Sequence, residues 1–402
     1  MKKPTLSRRN FLRNAMIAPA GLALASSISA TAADEPSPAA PVPTRKLGKN
    51  GPEVSMLSLG GDLPAYSVEH LDVGWSLGIR YFDTASMYGG GNDETKVEQW
   101  LTKYPERRKD LFLVTKDHPR TPEQIFEMVD RRLEKLKTSY LDLFFIHGIN
   151  AREYGQESLG WPKSDALKKV ADKLKSSGKV KLLGFSCHDS QANQYLTAAA
   201  EGGFLDAIMV KYTPFFTKGD DFDKALDACH QAGIGLIAMK TLRNAADAPK
   251  RLPEFDKLDL TTHQALLQAC WSDPRIAAVC NRMQNADNIQ TSVAAARGYK
   301  APLKTAQLEL LHATLLASRR AICPGCPACD RRGAEVDFAF GDISRLVMYY
   351  EQDGDLRARE QYHQILAAHR DASGVDLAAM RDACRFKVDY PEIIRRAERY
   401  FA

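Results

Sequence analysis

The chain of 402 residues is 44% hydrophobic and 26% charged. That balance excludes disordered, collagen-like and multi-span membrane classes and leaves room for a barrel of about 250 residues with an extension. The formal net charge of +5 is carried by the start, where Lys2, Lys3, Arg8, Arg9 and Arg13 precede any acidic residue. The remainder is formally neutral, which removes the electrostatic case for nucleic acid or an anionic membrane surface as a partner.

In chain order, the first feature is a charged segment containing Arg8-Arg9, followed by an Ala-rich apolar stretch from Ala15 to Ala25 and an Ala30-Thr31-Ala32 cleavage pattern. This order of parts predicts a signal peptide over 1–32. The paired arginines before Phe11-Leu12 resemble a twin-arginine export signal, which implies export to the periplasm or beyond. That route, as the signal is understood, carries proteins already folded, often around a cofactor. The apolar run is short and broken by Pro19 and Gly21, so no membrane span is expected in the mature chain. Residues 33–43 read as a Pro- and Ala-rich linker.

From residue 44 apolar β-type runs alternate with amphipathic helical stretches. Strands are predicted over Ser55–Leu59, Ile79–Asp83, Leu111–Lys116, Leu141–His147, Lys181–Ser186, Ala207–Tyr212, Ile234–Met239 and Ile276–Cys280. Helical patterns fall between them over Glu123–Leu136, Asp165–Ser176, Phe222–Ala232 and His263–Trp271. Eight such units to about residue 301 predict an α/β fold, an eight-stranded parallel (β/α)8 TIM barrel over 44–301. A doubly wound open sheet shares the alternation and is the runner-up. Gly233-Ile-Gly235-Leu-Ile-Ala238 fits a dinucleotide glycine pattern but precedes a strand instead of following one, so it reads as chance. Beyond residue 302 the strands stop, and helical patterns over 304–320, 342–352, 356–370 and 389–401 predict an α-helical C-terminal region over 302–402.

Three successive strand ends carry polar residues of one chemical theme. The second delivers Asp83 with Tyr88 in its loop, the third Lys116 and the fourth His147. In a parallel barrel these ends share one rim, where the chemistry resides. Carbonyl reduction needs such a set. A tyrosine can protonate the developing alkoxide, a nearby ammonium would lower its pKa, a carboxylate can hold that ammonium, and an imidazole can polarise the carbonyl. Each residue alone has a plain structural reading; their joint placement carries the catalytic one.

Segments 45–55 (RKLGKNGPEVS), 78–85 (GIRYFDTA) with Tyr88-Gly89, Thr115-Lys116 and 140–147 (YLDLFFIH) resemble motifs of the aldo-keto reductase family. The resemblance implies an NADP-dependent barrel acting on a small-molecule carbonyl or alcohol, with Tyr88 as general acid supported by Asp83, Lys116 and His147. On the cofactor side, 184–188 (GFSCH) resembles the strand end that holds the nicotinamide amide, which implies a role for Ser186. Lys211 stands where many members have Gln. Met239 lies where many present a stacking Tyr. The stretch 281–285 (NRMQN) resembles the loop gripping the adenosine phosphate, which places Arg282 beside a 2′-phosphate.

Cys323, Cys326 and Cys329 form a C-x-x-C-x-x-C run resembling that of bacterial ferredoxins. With Cys384 they make a four-thiolate set for one 4Fe-4S cluster. A zinc site and a pair of disulfides use the same residues and remain open. The sequence reading is thus an exported oxidoreductase with an iron–sulfur cluster and a redox partner for it. The rival is an iron–sulfur electron-transfer or structural protein whose barrel no longer uses nicotinamide.

Overall fold

A computed structural model describes residues 40–63, 66–189, 191–214, 220–242, 248–318, 323, 338–365, 367–384, 386 and 388–402. The signal-peptide reading over 1–32, Cys326 and Cys329 lie outside them.

Eight of the strands close into a parallel barrel. They are β3 (Leu57–Gly60), β4 (Tyr81–Asp83), β5 (Phe112–Asp117), β6 (Leu141–Ile146), β7 (Val180–Cys187), β8 (Ala207–Lys211), β9 (Gly235–Met239) and β10 (Ile276–Arg282). Neighbours pair in sequence order, and β10 pairs back to β3, with Asn281 opposite Leu59. The open-sheet alternative is therefore excluded. Nearly every residue of these strands is buried, because a parallel sheet is covered on both faces. Alternation still sorts the side chains. Tyr81, Phe112, Val114, Leu143, Phe145, Met209 and Ile237 fill the barrel interior, while Phe82, Leu113, Phe144, Phe185 and Ile208 pack outward under the helices. The outer helices use their apolar stripes for this. In Gln124–Leu136, Ile125, Val129 and Leu136 face the sheet.

All eight predicted strands form, with ends shifted by one to a few residues. Two elements were invisible to the periodicity. A hairpin of β1 (Thr44–Lys46) and β2 (Glu53–Ser55) places fully buried Leu47 in the interior cluster. This explains the glycine decoy. A Cβ on Gly235 would lie 2.5 Å from Leu47 Cδ1, and Lys49 N–H donates to the Gly233 carbonyl at 2.7 Å. These glycines make room for a plug, with no helix opening after them. The upstream linker also ends earlier than composition suggests. Val42 is buried and its N–H donates to Gly78 O at 3.0 Å.

The C-terminal region is helical as expected, with bounds that differ: the helix expected over 342–352 runs Phe340–Asp353. The stretch expected as one helix over 356–370 divides into Arg357–Gln364 and Ala367–Arg370, and Leu377–Ala383 is an extra turn-rich helix. Its core is not its own. Ile343, Leu346, Val347, Val388, Tyr390, Ile393 and Phe401 cluster with Leu252, Phe255, Ala265, Leu266 and Ala269 of the barrel's outer layer. Residues 38–402 accordingly form one compact unit.

The tightest backbone approach in the barrel is at Gly184 of β7, where an added Cβ would sit 1.8 Å from the Ala207 carbonyl oxygen and 2.9 Å from Phe145 Cε1. Neither neighbour can yield, since one is ladder backbone and the other is a packed ring. Gly184→Ala is expected to destabilise by at least the 1–3 kcal/mol typical of overpacking, roughly. A thermal melt of the full chain, unchanged from wild type, would contradict this.

Candidate active site

Asp83 ends β4 and Lys116 lies near the end of β5, each 1% exposed. The Lys116 Nζ donates to Asp83 Oδ1 at 2.5 Å and to the Thr84 carbonyl at 2.9 Å. Burial pushes the Asp83 carboxyl up, and the adjacent ammonium opposes that shift. Thr115, the residue before the lysine, donates to buried Glu94 at 2.7 Å, and Arg132 pairs with the same carboxylate. The residue before the lysine is thus fixed on the opposite face of the strand.

Tyr88 opens a tight turn, Tyr88–Gly91, whose three glycines all take positive φ. At Gly89 the need is explicit, since a Cβ there would lie 2.5 Å from Asp93 Oδ1. The turn folds the Tyr88 ring back over the rim. Lys116 Nζ lies 4.9 Å from the ring centroid, and the His147 ring meets it edge-on at 5.4 Å. The expectation that Lys116 lowers the Tyr88 pKa is not met. Burial raises the phenol well above its usual value, and the Asp83 carboxylate adds to the rise. The ammonium is already neutralised by Asp83, so little field is left for the tyrosine. A phenol so shifted keeps its proton, which suits a donor in reduction.

His147 follows β6. Its N–H donates to Asp117 O at 2.8 Å, and Tyr154 Oη donates to its carbonyl at 2.7 Å. The imidazole is held neutral by burial, with His118, Lys116 and Lys240 adding to the effect. His118 lies 4.5 Å away, ring to ring. His147 Nδ1 is buried without a hydrogen-bond partner. Such an orphaned atom at a rim marks a place for a ligand.

The structure therefore brings Asp83, Tyr88, Lys116 and His147 together. Ser186 on β7 joins them, accepting from Gly148 N–H at 2.8 Å and keeping its own hydroxyl proton for another acceptor. Lys211 and Met239 end the next two strands and are half-buried. Arg282, at the end of β10, is turned inward. It donates to the Asp62 carbonyl and faces Asp93, whose carboxyl burial raises to about 6. Cys323 and Cys384 lie away from this rim, both packed on the second core. Among the described residues no three His, Cys, Asp or Glu side chains converge as a metal site.

Sequence reasoning missed the groups that the tail adds. The helix Phe340–Asp353 sends Tyr349 to Lys240, whose ammonium donates to the phenol oxygen. Arg357 reaches Asp62 at 3.1 and 3.2 Å, and Arg152 pairs with Asp342. No local pattern could show these, because the partners are separated by over a hundred residues and meet only after the tail docks.

Residues 62–307 match the Aldo/keto reductase family, and the chain belongs to it. Curated relatives include the NADP(+) aldo-keto reductase yakc of Schizosaccharomyces pombe, 28% identical over 45% of this chain. Methylglyoxal reductase YeaE of Escherichia coli is 25% identical over 61% of this chain and 88% of its own length. The match spans only 54% of yakc. Among solved structures, aldo-keto reductase AKR11C1 from Bacillus halodurans shares 21% identity at a TM-score of 0.53, over 69% of this chain and 96% of that one. An aldo/keto reductase from Klebsiella pneumoniae in complex with NADP and acetate shares 22% at 0.53, over 66% and 94%. Those two likenesses establish the barrel; the helical tail lies outside the family match.

The Asp83–Lys116 pair generates a stability prediction. Lys116→Met leaves a carboxylate buried without its counter-ion and is expected to destabilise by about 3–5 kcal/mol. The double variant Lys116→Met, Asp83→Leu should recover much of that loss. Urea unfolding of the wild type, Lys116→Met, Asp83→Leu and the double variant measures the coupling, and additive losses would show that the two charges do not depend on each other.

Proposed function

We propose that the chain is an oxidoreductase that reversibly reduces a small-molecule carbonyl to an alcohol with NADP(H). The observation that carries this reading is the buried Asp83–Lys116 pair lying under a proton-bearing Tyr88, with the neutral His147 ring against the tyrosine. Relatives named for NADP(+) and for methylglyoxal reduction favour the same chemistry. The nicotinamide end of the cofactor fits the residues present, since Ser186 has a hydroxyl proton to offer at a rim with an orphaned polar atom. The other end fits less closely, because Arg282 is engaged with Asp62.

When bound, the nicotinamide supplies or accepts the hydride. The chain does the rest. His147, neutral, offers an N–H to the carbonyl oxygen and orients it. Tyr88 Oη gives its proton to that oxygen as negative charge develops there, and takes it back in the alcohol-to-carbonyl direction. Lys116, 4.9 Å from the ring centroid, gives the phenolate left behind a partial counter-charge, reduced by its pairing with Asp83, which holds it in place. Tyr88→Phe is expected to lower kcat by about 10²–10⁴-fold while NADPH fluorescence still titrates on binding. Retained turnover in that variant would remove the proton role. A wild type that leaves NADPH fluorescence unaltered would favour a barrel that no longer uses nicotinamide.

The proposal includes export by the twin-arginine route, supported by the order of charged, apolar and small residues over 1–32. It also includes a 4Fe-4S cluster held by Cys323, Cys326, Cys329 and Cys384, in a one-electron or structural role. What supports it is the C-x-x-C-x-x-C spacing; Cys323 and Cys384, 61 residues apart, both pack against the second core, and Cys323 N–H donates to Ser344 Oγ at 3.1 Å. Anaerobically purified protein is expected to be brown with about four iron and four sulfide per chain, and Cys384→Ala should lose iron and loosen the tail. A colourless wild type with one zinc, or with a thiol count that rises on reduction, would replace the cluster by the zinc or disulfide reading.

A further inference from the structure

Around Tyr349 of the tail, cations from the barrel and the tail outnumber the carboxylates they pair with. Lys240 follows β9 with φ of 58°, a left-handed conformation that favours glycine. A lysine kept in that position directs a cation at a fixed point. Its ammonium meets the Tyr349 hydroxyl and lies 5.0 Å from the ring centroid. Arg345, one helical turn before Tyr349, sits with its guanidinium 5.5 Å from the same ring. It bonds Asp342 at 3.1 Å, a carboxylate that Arg152 also takes. Two guanidinium groups thus share one anion.

This cationic wall abuts the reacting centre. His188 Nε2 lies 3.8 Å from the site of a Cβ on Gly148, the residue after His147. After burial, the charges that act most on His188 are Lys240, Arg345 and Lys211, and they hold it neutral. Lys240 acts on His147 in the same direction, and the Tyr349 phenol is close enough to act on Tyr88. Lys116 acts on His147 too, although it is paired with Asp83. Around Tyr349, Arg152, Arg345 and Lys240 face the single carboxylate of Asp342, an excess of positive charge, and an arginine fork beside a lysine suits a planar carboxylate.

We propose that Arg345 and Lys240 form a subsite for the carboxylate of the substrate, walled by Tyr349, so that the chain prefers carbonyl compounds that carry a carboxylate. The subsite deepens the reductase reading and rests on it for the carbonyl chemistry. It assigns to the helix after the cysteine segment the choice of substrate. A site built around a charge rejects the neutral analogue that leaves its cations unpaired.

The test uses the full-length chain and a series of ω-oxo carboxylates of two to five carbons, each against its amide. The best acid is expected to exceed its amide in kcat/KM by at least tenfold. In Arg345→Gln that ratio should fall close to one, and Arg345→Lys should restore most of it. Equal kcat/KM for acid and amide in wild type would overturn the subsite. A second arm needs no turnover: calorimetric titration with the matching ω-hydroxy acid, in wild type and Arg345→Gln. Saturable binding weakened about tenfold in the variant supports the subsite. Binding unaffected by the variant, or absent from both, overturns it, as does a variant that loses NADPH affinity alone, which would assign these cations to the dinucleotide phosphates. Acid binding without NADPH oxidation would sink the nicotinamide reading and leave the subsite standing.

Discussion

An ammonium and a carboxylate, each almost wholly withdrawn from water at 2.5 Å from one another, set the terms for the rest of the rim. Burying either alone is expensive, so the barrel must deliver both at once from adjacent strands. The register of β4 against β5, with Asp83 opposite Val114, does this. The Thr84 carbonyl then holds the lysine from another side, while Glu94 fixes the neighbouring Thr115. Above that pair, burial lets Tyr88 keep its proton and, with the cations around it, keeps His147 neutral. The chemistry proposed for the site follows from that local balance of charge more than from any one side chain.

Much of this was legible in the sequence, for a physical reason. Strands buried on both faces must be nearly continuous apolar runs, so Leu141–Ile146 or Ala207–Lys211 stand out without any structure. Polar residues at their ends then fall on one rim by topology alone. That is why Asp83, Lys116 and His147 could be paired with Tyr88 before any coordinates. The hairpin at Thr44–Ser55 was hidden because its strands are three residues each, too short for a period to register. The helical pattern over 304–320 was legible, but its leucines, Leu308, Leu310, Leu311, Leu315 and Leu316, spread around the axis and gave no clue to the face it buries.

What could not be read were charges and long-range meetings. The sequence suggested that Lys116 would acidify Tyr88. The structure shows the ammonium already matched, which only its distance to Asp83 reveals. Arg282 looked like a phosphate ligand by its place in a motif, yet the Asp62 carbonyl claims it. The contact between Lys240 and Tyr349 spans 109 residues, and neither residue carries a local signature. Pattern reports which strand a side chain ends; it does not report what is waiting there.

The second core has a consequence for how the molecule comes into being. Leu252, Phe255, Ala265 and Leu266 belong to the barrel's outer layer, yet their covering side chains lie beyond residue 302. A ribosome releases the barrel segments first. Until the later helices emerge, the nascent barrel carries an uncovered apolar flank and a rim without Arg345 or Tyr349. The last helices are thus the lid of the second core as well as the source of two side chains at the mouth, so a chain that stopped at the end of the barrel would differ from the whole one in surface and in rim at once.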